Sequence, residues 1–310
     1  MRRSPEKILF AITIDTECDH DPHWARSTPL RFESVLVGLP ERLQPLFGAT
    51  GAVPTYLLTV EVMESEECVA VLRSLPGRRE YGTHLHAAFV EPQKKFFDYA
   101  GVDSPDFQCH CPKEVEHAKL ENLTNLFVDR FGERPRSFRA GRFGAGANTI
   151  SALGQLGYVV DTSVTPHIRW RHPDGNVDYR RAPEQPYFPA VRSLAQAADS
   201  RGQILEVPVT MRRRWLRGPH WLRPWFSSVA SMKETVRYHL SRYGNREIIV
   251  LNMMFHSMEV ISRASPYPQT EMDVQRFLSD LADVLGWCRD EGLSFCGLAG
   301  VAAEINPGHG

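Results

Sequence analysis

The sequence predicts a single α/β domain, a distorted (β/α) barrel of about seven or eight β/α units spanning residues 1–310. Three observations predict it. Apolar strand-like runs alternate with amphipathic helical ones almost from end to end. No acidic or Gly-Ser linker divides them. Four of the strand-like runs end in, or carry, residues capable of chemistry, and barrels and open α/β sheets gather such residues at the carboxyl ends of their strands.

Lys7 to Glu17 (KILFAITIDTE) reads as the first strand, apolar until it delivers Asp15 and Glu17. Pro54 to Val60 is the second, and an amphipathic segment near Glu64 to Leu75 leads to a third strand, Glu80 to His86, which ends in His84 and His86. Lys113 to Phe131 has apolar residues at helical spacing and is stopped by Gly132. Ser137 to Arg142 carries Arg139. Asn148 to Leu156 is a short helix ended by Gly157, Tyr158 to Asp161 and Leu205 to Val209 are strands, and Ser231 to Tyr243 is a helix. Ile248 to His256 is a buried strand by its apolar continuity, Glu271 to Glu291 a long helix and Ser294 to Leu298 a last strand. Two long connections, 87–112 and 162–203, break the rhythm, and loops of that length in a compact domain are usually functional.

Hydrophobic residues at 42% and charged residues at 24% are the proportions of an ordinary globule, which excludes a disordered chain. A formal net charge of -1 provides no global field for nucleic acid, so none is expected as a partner. The basic start, MRRSPEK, leads into only about seven apolar residues before Asp15, too few for a signal peptide or a transmembrane segment. Six scattered cysteines fit free thiols in a reducing compartment, so a cytoplasmic location is expected. Cys109-His110-Cys111 lacks the second ligand pair of a structural zinc site and reads as a local loop.

Alternation along a strand puts His84 and His86 on one face, and Asp15 and Glu17 on one face. Glu17, His84 and His86 make a mixed carboxylate and imidazole set that suits one divalent ion, zinc above all, with a coordination position left open. Either histidine alone could be a packed core residue. Two same-face acids at one strand tip and two same-face histidines at another favour metal. Arg139, at a strand end before Gly141, Gly144 and Gly146, suits a tight turn into a pocket. His256 ends an apolar run after Met253, Met254 and Phe255 and, read alone, could be a core residue. No G-x-S-x-G elbow supports a serine triad.

TIDTECD, EYGTHLHAAF, FRAGRFGAGANT, GYVVDTSVTP and LNMMFHSME together resemble, in order, the motifs of the polysaccharide deacetylase family, the NodB-homology carbohydrate esterases of the family 4 type. The similarity runs from about Lys7 to Ser265. It implies a distorted (β/α) barrel and metal-dependent removal of N-acetyl or related acyl groups from amino sugars. By the resemblance, Asp15 is the catalytic base that deprotonates water, and Arg139 pairs with it and orients it. His256 protonates the leaving amine, with Asp161 as its partner, although Asp161 could equally cap the loop that follows. Thr16 stands where the family has a ligand Asp, so the resemblance puts Glu17 in that role. Ala88 stands where the second motif histidine belongs, which leaves His86 to replace it. The backbone N–H of Arg142 or Phe143 is the candidate oxyanion donor.

Trp170, Tyr187, Trp215, Trp221 and Trp225 could stack on sugar rings or simply pack. Arg212, Arg213, Arg214, Arg217 and Arg223 interleave with three of those tryptophans, either as a solvated face or as a holder for a phosphate- or lipid-linked sugar. The expected function is deacetylation of an N-acetylated sugar or glycan precursor. The rivals are an amidase of the same fold acting on a non-sugar amide, and a glycan-binding pseudoenzyme.

Overall fold

The inward-facing residues of the first strand change character along its length, and that gradient organises the molecule. The computed structural model describes residues 5–27, 29–96, 107–172, 175–214 and 218–307. Strands β1 (Lys7–Thr16), β2 (Pro54–Leu58), β3 (Glu80–Leu85), β4 (Ser137–Ala140), β5 (Val160–Asp161), β6 (Leu205–Glu206), β7 (Ile248–His256) and β8 (Ser294–Phe295) form one eight-stranded sheet. Its order is β6-β5-β4-β3-β2-β1-β7, all parallel, with β8 pairing the lower half of β1 beneath β2. The sheet curls until its edges meet. Val207 donates to the carbonyl of Asp161, and three residues later the N–H of Thr210 donates to the carbonyl of Asn252 in β7 at 2.9 Å. The expected barrel is therefore observed, with a short seam where it closes.

Odd-numbered residues of β1 face inward and even-numbered ones face the helices. Phe10, Ile12 and Ile14 join the main core under the helical layer, whereas Leu9 and Ala11 join Val160, Leu205, Val250 and Leu298 in a separate apolar plug. Above the plug the interior turns polar. Thr13, Arg139, Thr162 and Asn252 are buried there and bonded to one another. Asp15 and Glu17 come next, at the carboxyl end.

The helices follow their sequence signals. The Lys113–Phe131 helix and the Ala147–Leu156 helix end at Gly132 and Gly157, whose φ values of 78° and 88° suit glycine. Thr270 and Asp273 form a capping box at the start of the Glu271–Asp290 helix. The sequence pattern missed the helical stretch Ser34–Leu43, continued by Gln44–Thr50. Pro40 interrupts its amphipathic pattern, and the first ten residues are wound as a π-helix, whose period differs from the α-helical one. The expected last strand, Ser294 to Leu298, is shorter than read, because Leu298–Ile305 forms a helix that seals the lower end.

The long connection 162–203 is not irregular throughout. It folds as two small hairpins, Arg169–His172 with Gly175–Asp178 and Pro189–Ala190 with Ser193–Ala197. Residues 97–106 and 173–174 of the two long connections, and Trp215 and Arg217, lie outside the described residues. Among the described residues no helix is long and apolar enough to cross a membrane.

Candidate active site

Strand register assembles the site before any side chain is considered. Asp15 sits opposite His256 across β1 and β7, and His84 sits opposite Arg139 across β3 and β4. Asp15, Glu17, His84, His86 and His256 then line a single cavity of about 180 Å³ at the carboxyl end of the barrel, together with His20, Trp24, Arg26, Arg142 and Phe143. The expected residues are brought together, with one exception.

Arg139 is wholly buried and spans the barrel interior. Its Nη1 donates to Asp15 Oδ1 at 2.5 Å, Nη2 to Thr13 Oγ1 at 2.6 Å and Nε to the Thr162 carbonyl at 3.0 Å. Burial pushes the Asp15 carboxyl up. Arg139, then His84 and His256, outweigh burial and hold it below its ordinary value. Asp15 is thus an ionised carboxylate held at Oδ1 by one charged N–H of Arg139, with Oδ2 turned toward His84 Nε2 and His256 Nε2, 3.9 Å from each.

Glu17 lies between the histidines. Oε1 is 3.6 Å from His84 Nε2 and Oε2 is 3.5 Å from His86 Nε2. Burial again opposes ionisation, and His86 with His84 overcomes it, holding Glu17 well below its usual range. His84 Nδ1 donates to the carbonyl of Arg139 at 3.0 Å, which fixes the tautomer and leaves Nε2 with a lone pair facing the cavity. Burial keeps His86 less basic than usual despite Glu17. A Cβ at Gly141 would lie 2.8 Å from His86 Nδ1, so the glycine makes room for this ring.

The residues fit a divalent cation. One donor atom from each of Glu17, His84 and His86 lies within 4.8 Å of the others, buried or half-buried. Glu17 Oε2 and both ring nitrogens of His86 have no hydrogen-bond partner among the described residues, although all three atoms are buried. Unsatisfied buried donors and acceptors are costly, and a cation would satisfy them.

His256 is held differently from expectation. Its Nδ1 meets Glu259 Oε1 at 2.9 Å, the same oxygen accepts the His256 backbone N–H at 3.1 Å, and Arg223 Nη2 donates to it at 2.5 Å. Asp161 is not the partner. It accepts from Ser163 Oγ at 2.6 Å in the loop that follows, and burial pushes its carboxyl up beside Glu206. The loop-capping alternative is the observed one. Glu259 was legible in principle, since a Glu three residues after a strand end is the spacing at which a side chain reaches back to the backbone.

Arg223 is correspondingly removed from the expected arginine face, and Arg212 pairs with Glu234 at 2.7 Å, which leaves Arg213 and Arg214 exposed. The aromatics mostly pack. Trp170 stacks on Phe143 at 5.4 Å, Trp225 stacks between Tyr267 and Phe277, and the Tyr187 hydroxyl donates to the Leu194 carbonyl. Trp24, which no sequence signal singled out, lines the cavity with Phe143 and lies 5.3 Å from the His256 ring. Arg142 and Phe143 take φ values of 53° and 57°, so the turn that carries the expected oxyanion donors is strained where it lines the cavity. Cys109 and Cys111 form no disulfide among the described residues.

No protein-family model matches the chain, and no curated relative matches it. Solved structures do. The chain is similar to a protein assigned as a polysaccharide deacetylase from Mycobacterium smegmatis, at 15% identity and a TM-score of 0.54 over 99% of this chain and 95% of that one. It is similar to Puue allantoinase at 14% identity and 0.58, over 98% and 92%. A protein assigned as a polysaccharide deacetylase from Pseudomonas aeruginosa PAO1 gives 14% and 0.57 over the same shares. Identities this low establish a common fold, and that fold is the polysaccharide deacetylase barrel.

Proposed function

We propose that the protein is a cytoplasmic, zinc-dependent hydrolase that removes an N-acetyl or related acyl group from an amino sugar or glycan intermediate. The observation that carries this reading is the convergence, in one cavity, of a three-donor cation site with a carboxylate locked by a buried arginine. Glu17, His84 and His86 would hold the ion, which supplies Lewis-acid polarisation of water and of the acyl oxygen. Asp15, kept ionised by Arg139, accepts the proton of the attacking water. His256, steadied by Glu259 and Arg223, donates to the amide nitrogen as the C–N bond breaks. The test is metal analysis coupled to acetate release. About one cation per chain and turnover of N-acetylated sugars are expected, with the cation lost on Glu17→Ala or His86→Ala. A protein that binds glycans without metal and without turnover overturns the proposal.

A second reading is favoured by the cavity itself. A space of about 180 Å³ walled by Trp24 and Phe143 suits a single compact group better than a polymer, and one similar structure is an allantoinase. An amidase acting on a small non-sugar amide or imide would fit, and the acyl-release profile across both substrate classes separates the two. Arg213 and Arg214 remain for a phosphate- or lipid-linked sugar. Equal turnover of free and phosphate-linked sugars removes that refinement.

A further inference from the structure

His20 reaches the cavity from the segment that follows β1, three residues past Glu17. Its side chain is about nine-tenths buried, yet neither ring nitrogen has a hydrogen-bond partner among the described residues. Nε2 lies 3.8 Å from Glu17 Oε2, and His256 Nε2 lies 4.0 Å from Oε1. The two imidazoles therefore flank the same carboxylate from opposite ends. Trp24 braces both, with its ring edge-on to His20 at 5.6 Å and tilted against His256 at 5.3 Å. An antiparallel bridge between His20 and Arg26 ties the segment back on itself. His20 stands outside the close-set group of Glu17, His84 and His86.

A buried ring with two idle nitrogens is costly unless something that arrives later uses them. Packing alone would be served by an apolar ring. The chemistry of amide cleavage supplies such a partner, since oxygen and nitrogen diverge from one carbon, the first gathering negative charge while the second needs a proton.

We propose that His20 is a further catalytic residue, an imidazole N–H donor to the acyl oxygen of the substrate, placed opposite His256 at the nitrogen. The inference rests on the hydrolase reading above. No bond to His20 forms or breaks. Water adds to the carbonyl carbon and gives one proton to Asp15, His256 passes a proton to the nitrogen, the C–N bond breaks, and a carboxylate and an amine leave. His20 keeps its proton throughout and holds the oxygen as its charge grows.

The experiment compares His20→Phe, which fills the space without an N–H, and His20→Gln, which restores one. His20→Leu repeats the deletion should the phenylalanine ring not be accommodated. On an N-acetylated substrate, kcat/KM should fall about 10²- to 10³-fold in His20→Phe with metal content unchanged, and His20→Gln should recover part of the loss. Methylphosphonate, a stable tetrahedral anion, should bind the metal-loaded His20→Phe protein about 10-fold more weakly than wild type by calorimetry. Wild-type rates and affinities in His20→Phe overturn the proposal, and so does loss of the cation, which would make His20 a ligand. A wild type inactive on every amide sinks the hydrolase reading instead, and the methylphosphonate comparison still decides the role of His20.

Discussion

Both ends of the barrel hold an acid among arginines, buried Glu17 at one and half-buried Glu80 at the other, and they differ in whether the polar atoms there are satisfied. At the amino end, a cavity of about 610 Å³ is lined by Arg78, Arg79, Arg134 and Arg136 around Glu80. Glu80 is fully engaged: Ser137 Oγ donates to Oε1, the N–H of Ala299 donates to Oε2 at 2.9 Å, and Thr55 Oγ1 reaches Oε2 at 3.5 Å. At the carboxyl end the cavity is smaller, but Glu17 Oε2, His86 and His20 are left wanting. Cavity size does not identify the site. Between these two cavities, unsatisfied lining atoms mark the carboxyl end, which agrees with the general placement of chemistry at the carboxyl ends of barrel strands and of stability at the other.

The contrast can be broken by mutating both ends. The largest effect is expected from Asp15→Asn, which should lower turnover about 10²- to 10⁴-fold while the cation stays bound, as read by acetate release and metal analysis. Next, Arg139→Ala should cost about 3–5 kcal/mol in urea unfolding, because it leaves Asp15 buried without its cation. At free metal about one hundred times its Kd, chelator-treated protein should gain about 2.7 kcal/mol, and Glu17→Ala should abolish that gain. Glu80→Gln, the control at the opposite end, should leave turnover unchanged and shift stability by no more than about 1 kcal/mol.

The pH dependence sharpens the same comparison. Asp15 is held below its ordinary value, so its contribution is present above the unfolded pKa and is lost as pH falls through the folded one. Burial raises Glu80 despite its donors, so the native state keeps that proton where the unfolded chain has released it, and stability falls as pH rises through the interval between the two. In metal-free protein, Asp15→Asn should flatten the acid limb of a stability profile and Glu80→Gln the opposite limb. Identical profiles for the two variants would erase the distinction between the ends.

Much of this was legible in the sequence because strands write their facing with period two. Glu17, His84 and His86 could be assigned to one cluster from same-face spacing at two strand tips, and Arg139 and His256 from strand-end position. Partners supplied by loops and turns were not so legible. Glu259, Arg223, His20 and Trp24 lie on turns and connections outside the strands of the barrel, where period-two facing is no guide, and Glu259 alone carried a local signal in its spacing from His256. Asp161 illustrates the opposite error. It does end a strand, but its neighbour Val160 faces the interior plug, so β5 turns Asp161 to the opposite face, toward Ser163 and Glu206. The π-wound stretch at Ser34–Leu43 escaped because its winding does not match the period sought.

Asn252 accepts from Thr13 and donates to Thr162, and its backbone pairs with Thr210 where the sheet shuts. Thr162 and Thr13 are also the groups that steady Arg139. Ring closure and alignment of the proposed base are thereby one event, reached only after the chain has been made past residue 252. A half-synthesised molecule would already carry its acids but lack the far wall that aligns them.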